Sequence, residues 1–172
     1  MRNIRFKTTA TLAGGIATLA AAPALAAGAE ISVTIPQLKV AEYHRPYVAI
    51  WIEPKAAGAV RNVAVWYDVD MKNNEGTKWL RDIRGWWRKT GRTLTMPVNG
   101  VSGATKAPGT HKIASPLAGL APGSYELVVE AAREVGGREV VRVPFSWPAK
   151  APATAKAAGT AELGAVSIAL KP

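Results

Sequence analysis

YVAIWIE (Tyr47–Glu53), closed by Pro54, is the stretch on which the fold turns. Valine, isoleucine, tyrosine and tryptophan are the residue types that suit a pleated strand, and proline ends one. Outward from it the same signature repeats. VRNVAVWYD (60–68) follows the Lys55–Gly58 turn, and Glu30–Ile35 alternates polar and apolar residues with period two. SYELVVEA (124–131) follows Pro122-Gly123, Gly136-Gly137 is a hairpin signal, and EVVRVPFSW (139–147) is the partner strand. GAVSIAL (164–170) closes the sheet, while RTLTM (92–96) and His111–Ala114 are weaker strand candidates. Only KWLRDIRGWWRK (78–89) has helical spacing, with Trp79, Leu80, Ile83, Trp86 and Trp87 near one face and Gly85 weakening it. Short strands between turns, with one short helix, predict an all-β fold: an antiparallel β-sandwich of immunoglobulin-like architecture. Residues 148–160 (PAKAPATAKAAGT) read as a flexible Ala/Pro/Lys loop before the last strand.

The N-terminus sets the compartment. Arg2, Arg5 and Lys7 precede an apolar run from Thr8 to Ala22, and Pro23 precedes the small-residue site Ala24-Leu25-Ala26. That order predicts a signal peptide over residues 1–26, exported by the general secretion pathway, and a single domain over 27–172 in the periplasm. The apolar run is too short for a membrane anchor, so the mature chain is not expected to span a membrane. The segment carries three of the formal +10 charges, so the mature chain keeps +7. Such a balance suits an anionic partner or simply solubility; nucleic acid is not expected outside the cytoplasm. There are no cysteines, which excludes disulfides, cysteine-ligated iron–sulfur clusters and thioether-bound haem. With only His44 and His111, a multi-histidine metal site is close to excluded, and a serine hydrolase has no motif to build on. Asp68 and Asp70 offer oxygen ligands in a turn but lack calcium-loop spacing.

The segment with chemical promise is NGVSGAT (99–105), continued by Lys106. Gly100 and Gly103 permit unusual backbone geometry, Ser102 and Thr105 carry hydroxyls, and Lys106 adds a cation, so the loop suits a phosphate or is a plain turn. Ser102, Gly103, Ala104 and Thr105 resemble the flavin-attachment motif of bacterial extracytoplasmic flavoproteins. There an Asp is followed after two residues by Ser or Thr, Gly, Ala and Thr or Ser. The resemblance implies FMN joined through a phosphoester to Thr105 by a periplasmic flavin transferase that uses FAD. Asn99 stands where that pattern has Asp.

YVAIWIE (47–53), VAVW (63–66), KWLRDIRGWW (78–87) and GVSGATKAPGTH (100–111) also resemble a bacterial family of predicted periplasmic proteins of unknown function. That family is encoded beside flavin transferases and PepSY-type membrane-bound reductases. The likeness implies extracytoplasmic electron transfer. Trp79, Trp86 and Trp87, among the cations of 78–89, either stack on a flavin or plug one end of the sandwich. His111, six residues after Thr105, is a candidate to border the flavin. The expectation is a FMN carrier rather than a self-sufficient enzyme, with Thr105, Ser102, Gly103, Ala104, Lys106, Asn99, Trp86 and Trp87 at the cofactor. The alternative is a non-catalytic binding module of a membrane redox or metal-handling system.

Overall fold

Most of the strands expected from the sequence are present, in two packed sheets. The computed structural model describes residues 28–172; the expected signal peptide lies outside the described residues. One sheet has four strands in the order β5 (Gly109–Pro116), β1 (Gly28–Ile35), β9 (Ala165–Lys171) and β8 (Ala153–Ala158). The other has five: β4 (Ser102–Ala104), β3 (Arg61–Tyr67), β2 (Tyr47–Pro54), β6 (Gly123–Ala132) and β7 (Arg138–Trp147). The all-β sandwich is as expected. Every pairing is antiparallel except β3 with β4, which run parallel and make the larger sheet mixed.

Strand β2 is buried on both faces, from Tyr47 to Glu53. Its even-numbered side chains, Val48, Ile50 and Ile52, meet Ile31, Val33 and Ile168 in the core between the sheets. Its odd-numbered ones, Ala49 and Trp51, join Val65, Leu80, Ile83 and Trp86 in a second cluster on the outer face. A cover segment therefore shields that outer face. It consists of 3₁₀ turns over Lys72–Asp82, a one-residue break at Ile83, and helix α1 (Arg84–Lys89). Asn73 and Asn74, with φ of 54° and 56°, take the left-handed conformation that asparagine tolerates.

One buried carboxylate fastens the cover to the sheet. Glu130 of β6 is fully buried and accepts the backbone N–H of Gly85 at 3.0 Å and of Trp86 at 2.8 Å. Arg138 on β7 supplies the countercharge at 2.5 Å. A Cβ on Gly85 would come within 2.6 Å of the Glu130 carboxylate. Glycine weakens the helix but permits this approach. Trp86 is fully buried and donates its indole N–H to Asn62 at 2.8 Å.

Two expectations need correction. RTLTM (92–96) is not a strand. Gly91–Thr93 makes a single 3₁₀ turn, closed by the Thr93 hydroxyl on the Thr90 carbonyl, while Leu94 and Met96 pack beneath the cover. The 148–160 stretch is not a loop throughout, because residues 153–158 form strand β8 against β9. An edge strand needs a partner ladder more than bulky side chains, and Lys156 marks it as one. The turn after it is held by Glu139, which accepts backbone N–H groups from Thr160, Ala161 and Leu163 at 2.6, 3.1 and 2.8 Å.

Gly85→Ala should lower the unfolding free energy by about 1.5–3 kcal/mol, the worth of a charged hydrogen bond. Helix propensity alone favours alanine by roughly 1 kcal/mol. Urea melts of the two proteins give the sign; a more stable alanine variant would show that the Glu130 contact does not bind the cover. A second prediction concerns acid. Burial raises the Glu139 pKa, but the N–H groups of Thr160, Leu163 and Ala161 outweigh it and hold the group below its ordinary 4.5. Glu53 is likewise lowered: burial opposes, and the bonds from Arg142, Lys89 and Trp51 prevail. A depressed carboxylate stabilises the fold above its unfolded value and loses that contribution as pH falls. The urea midpoint should hold from pH 7 to about 5 and fall below about 4.5, less steeply in Glu139→Gln.

Candidate functional site

The five-stranded sheet has one end at which β2 and β7 begin and β3, β4 and β6 finish. Tyr47 pairs with Ala132, Ala132 with Arg138, and Tyr67 with Ala104. Side chains at and just beyond this end, with part of the cover segment, enclose a cleft of about 750 Å³. That volume lies within the range of small-molecule sites. The aromatic contributors are Tyr43, Tyr47 and Trp79, the last 43% exposed. The cationic ones are Arg45, Arg84, Arg133 and Arg138, and Asp68, Asp82 and Glu134 add acids. Arg133 is spent on Glu162 and Arg138 on Glu130. Arg45 and Arg84 have no carboxylate within ion-pair distance among the described residues, which leaves two cations for an anionic ligand.

Thr105 reaches the cleft through the parallel β3–β4 pairing. This pairing sets Ala104 beside Tyr67, so the next residues, Thr105 and Asp68, leave the sheet together. The Thr105 N–H donates to the Tyr67 carbonyl at 3.2 Å. Its hydroxyl donates to one Asp68 carboxylate oxygen at 3.3 Å, and the Tyr47 hydroxyl donates to the other at 3.2 Å. Burial pushes the Tyr47 phenol far above its ordinary value of 10, so it stays a donor. The result is a threonine hydroxyl directed at a carboxylate that a buried tyrosine orients.

The other expected site residues are scattered. Ser102, Gly103 and Ala104 are strand, not an open anion loop. Ser102 accepts the Val98 N–H at 2.9 Å, and Gly103 lies over Trp66. Gly100 does take positive φ, at 72°. Asn99 is exposed in the turn before the strand. Lys106 sits 5.7 Å from the centre of the Trp66 ring rather than in the cleft. His111 packs on that same ring and bonds the Ala107 carbonyl, also away from the cleft. Trp86, expected to stack on a flavin, is core, and Trp87 leans on it with ring centres 6.3 Å apart. The member of the tryptophan set that reaches the cleft is Trp79. Sequence reasoning missed the roles of Asp68 and Tyr47. Neither lies within local spacing of Thr105, and only strand pairing joins them.

His44 lies at the cleft edge between Glu42 at 2.8 Å and Glu134 at 3.6 Å. Among the described residues no group of three His, Asp or Glu is arranged to hold a metal ion. No helix there is long and apolar enough to cross a membrane.

A family model described as "Predicted periplasmic protein (DUF2271)" matches residues 28–165, nearly all of the described structure. No curated protein and no solved structure matches the chain.

Proposed function

The chain belongs to this family of predicted periplasmic proteins, and on that premise we propose that it is an extracytoplasmic electron carrier holding FMN through a phosphoester to Thr105. The family's compartment agrees with the export expected from the N-terminus. One observation carries the reading: the hydroxyl that ends the SGAT motif lies in the lining of a large cleft of aromatic, cationic and acidic side chains, bonded to the Asp68 carboxylate at 3.3 Å. The attachment pattern expects a carboxylate at position 99, where this chain has asparagine. Asp68 brings one to the same hydroxyl through the fold.

The residues of the cleft fit the group. Tyr43, Tyr47 and Trp79 offer ring faces and edges to an aromatic system. Arg45 and Arg84 offer charge to a phosphate. In attachment, Thr105 Oγ1 bonds to the phosphorus of the FMN half of FAD. The pyrophosphate bond breaks, and AMP leaves with its electron pair. The hydroxyl proton passes to Asp68, which Tyr47 holds in place. Once bound, the flavin supplies the redox chemistry. The protein anchors and partly shields it, leaving the open side of the cleft for a membrane-bound reductase and an acceptor. A second reading, a non-redox binding module, uses the same cleft without modification of Thr105. The exposed Trp79 beside unpaired arginines favours it as the fallback.

Intact mass after periplasmic co-expression with an active flavin transferase distinguishes the two. Wild type should gain the mass of FMN and in-gel flavin fluorescence; Thr105→Val should gain neither. Asp68→Asn should be labelled about 100-fold more slowly, the low end of what a positioned base contributes. An unmodified wild type, with the transferase active on a control substrate, would leave the binding module as the function.

A further inference from the structure

Arg133 sits in the wall of the cleft, its side chain only 6% exposed. Its surroundings are built for it. Nε and Nη2 donate to Glu162 at 2.8 and 3.1 Å, and Glu162 also accepts the Gly137 N–H at 2.8 Å. A Cβ on Gly136 would collide with the guanidinium, and one on Gly137 would come within 2.9 Å of the Glu162 carboxylate. The glycine pair that reads as a hairpin signal is thus also what lets the turn close over this ion pair. Between them and Arg133 stands Val135, a β-branched residue held at φ of 51° and 77% exposed. That conformation is strained for valine, and such strain collects at ligand sites.

After all this, one donor nitrogen is left over. Nη1 of Arg133 is buried and has no hydrogen-bond partner, and the buried hydroxyl of Tyr43, another cleft residue, has none either. Folding rarely leaves buried donors unsatisfied, because each forfeits its hydration. Two of them in the wall of one cleft, one on a charged group fixed by its own turn, mark a place kept for an acceptor.

We propose that Arg133 Nη1 and the Tyr43 hydroxyl form a recognition subsite for the acceptor-bearing edge of a planar ring ligand, a ring carbonyl or an anionic ring nitrogen. The inference rests on the reading of this cleft as a flavin site, but not on the covalent bond at Thr105. A flavin ring carries carbonyls along one edge and gains negative charge there on reduction. Donors at that edge bind the ring and favour its reduced form.

The test uses protein made without a flavin transferase and titrated with free FMN, followed by quenching of flavin fluorescence. Tyr43→Phe removes a hydroxyl that has no internal partner, so its thermal midpoint should equal or exceed wild type. Its FMN dissociation constant should be about tenfold higher, as expected for one hydrogen bond. Arg133→Lys, provided its melting is cooperative, should weaken FMN at least as much while keeping charge against Glu162. Equal dissociation constants for wild type and Tyr43→Phe would overturn the subsite. So would absence of quenching by wild type at about 1 mM FMN, the weak limit of useful affinity. Either result stands whatever the mass measurement at Thr105 shows. Conversely, a Tyr43 effect in a protein never modified at Thr105 would keep the subsite and discard the covalent bond.

Discussion

A single carboxylate with no exposure to water organises the functional half of this protein. Glu130 lies near the end of β6, between β2 and the edge strand β7, and holds two backbone N–H groups at the start of α1, with Arg138 as its countercharge. A buried carboxylate without such partners is costly, and here the folding of the cover segment supplies them. The same bond places Trp86 over β2 and β3 and brings Trp79, Asp82 and Arg84 to the cleft. Without it the sheet has an apolar outer face and the cleft has no roof on that side.

The pattern recurs. Glu139 gathers three N–H groups of the turn between β8 and β9, and Glu162 takes Arg133 and the N–H of Gly137. A chain without cysteine has no disulfide with which to fix its irregular segments. Buried or half-buried carboxylates, Glu130 and Glu139 on strands and Glu162 in the turn before β9, perform that role instead. Each accepts several donors, so each fastens a stretch of backbone rather than one side chain. Glycine repeatedly occurs where a Cβ would obstruct such a contact, at positions 85, 136 and 137.

The cleft follows from how the strands end. Tyr47, Asp68, Thr105 and Arg138 come from four strands whose ends coincide, and none is a neighbour of another in sequence. The parallel β3–β4 pairing is decisive. An antiparallel neighbour would run the SGAT strand the other way and carry Thr105 toward the opposite end of the sheet. The three-residue strand β4 is short, yet its direction determines whether the motif's hydroxyl meets a carboxylate.

The sequence by itself determined the strands with strong side-chain signals, including β2, β3, β6, β7 and β9, together with the sandwich and the periplasmic family. Alternation of apolar residues and turn glycines are local, so they survive in a linear string. It also marked Thr105 as a candidate, because a motif is local too. Tertiary structure alone decided the rest. Strand β8 is alanine-rich and exists because β9 offers it a ladder, and β4 exists because β3 does. Trp86 and Trp79 share one helical pattern, yet the break at Ile83 sends the first to the core and the second to the cleft. Asp68 and Tyr47 acquire their roles only from register. Burial and hydrogen-bond partnership depend on which strand lies alongside, and strand pairing across tens of residues leaves no trace in local spacing.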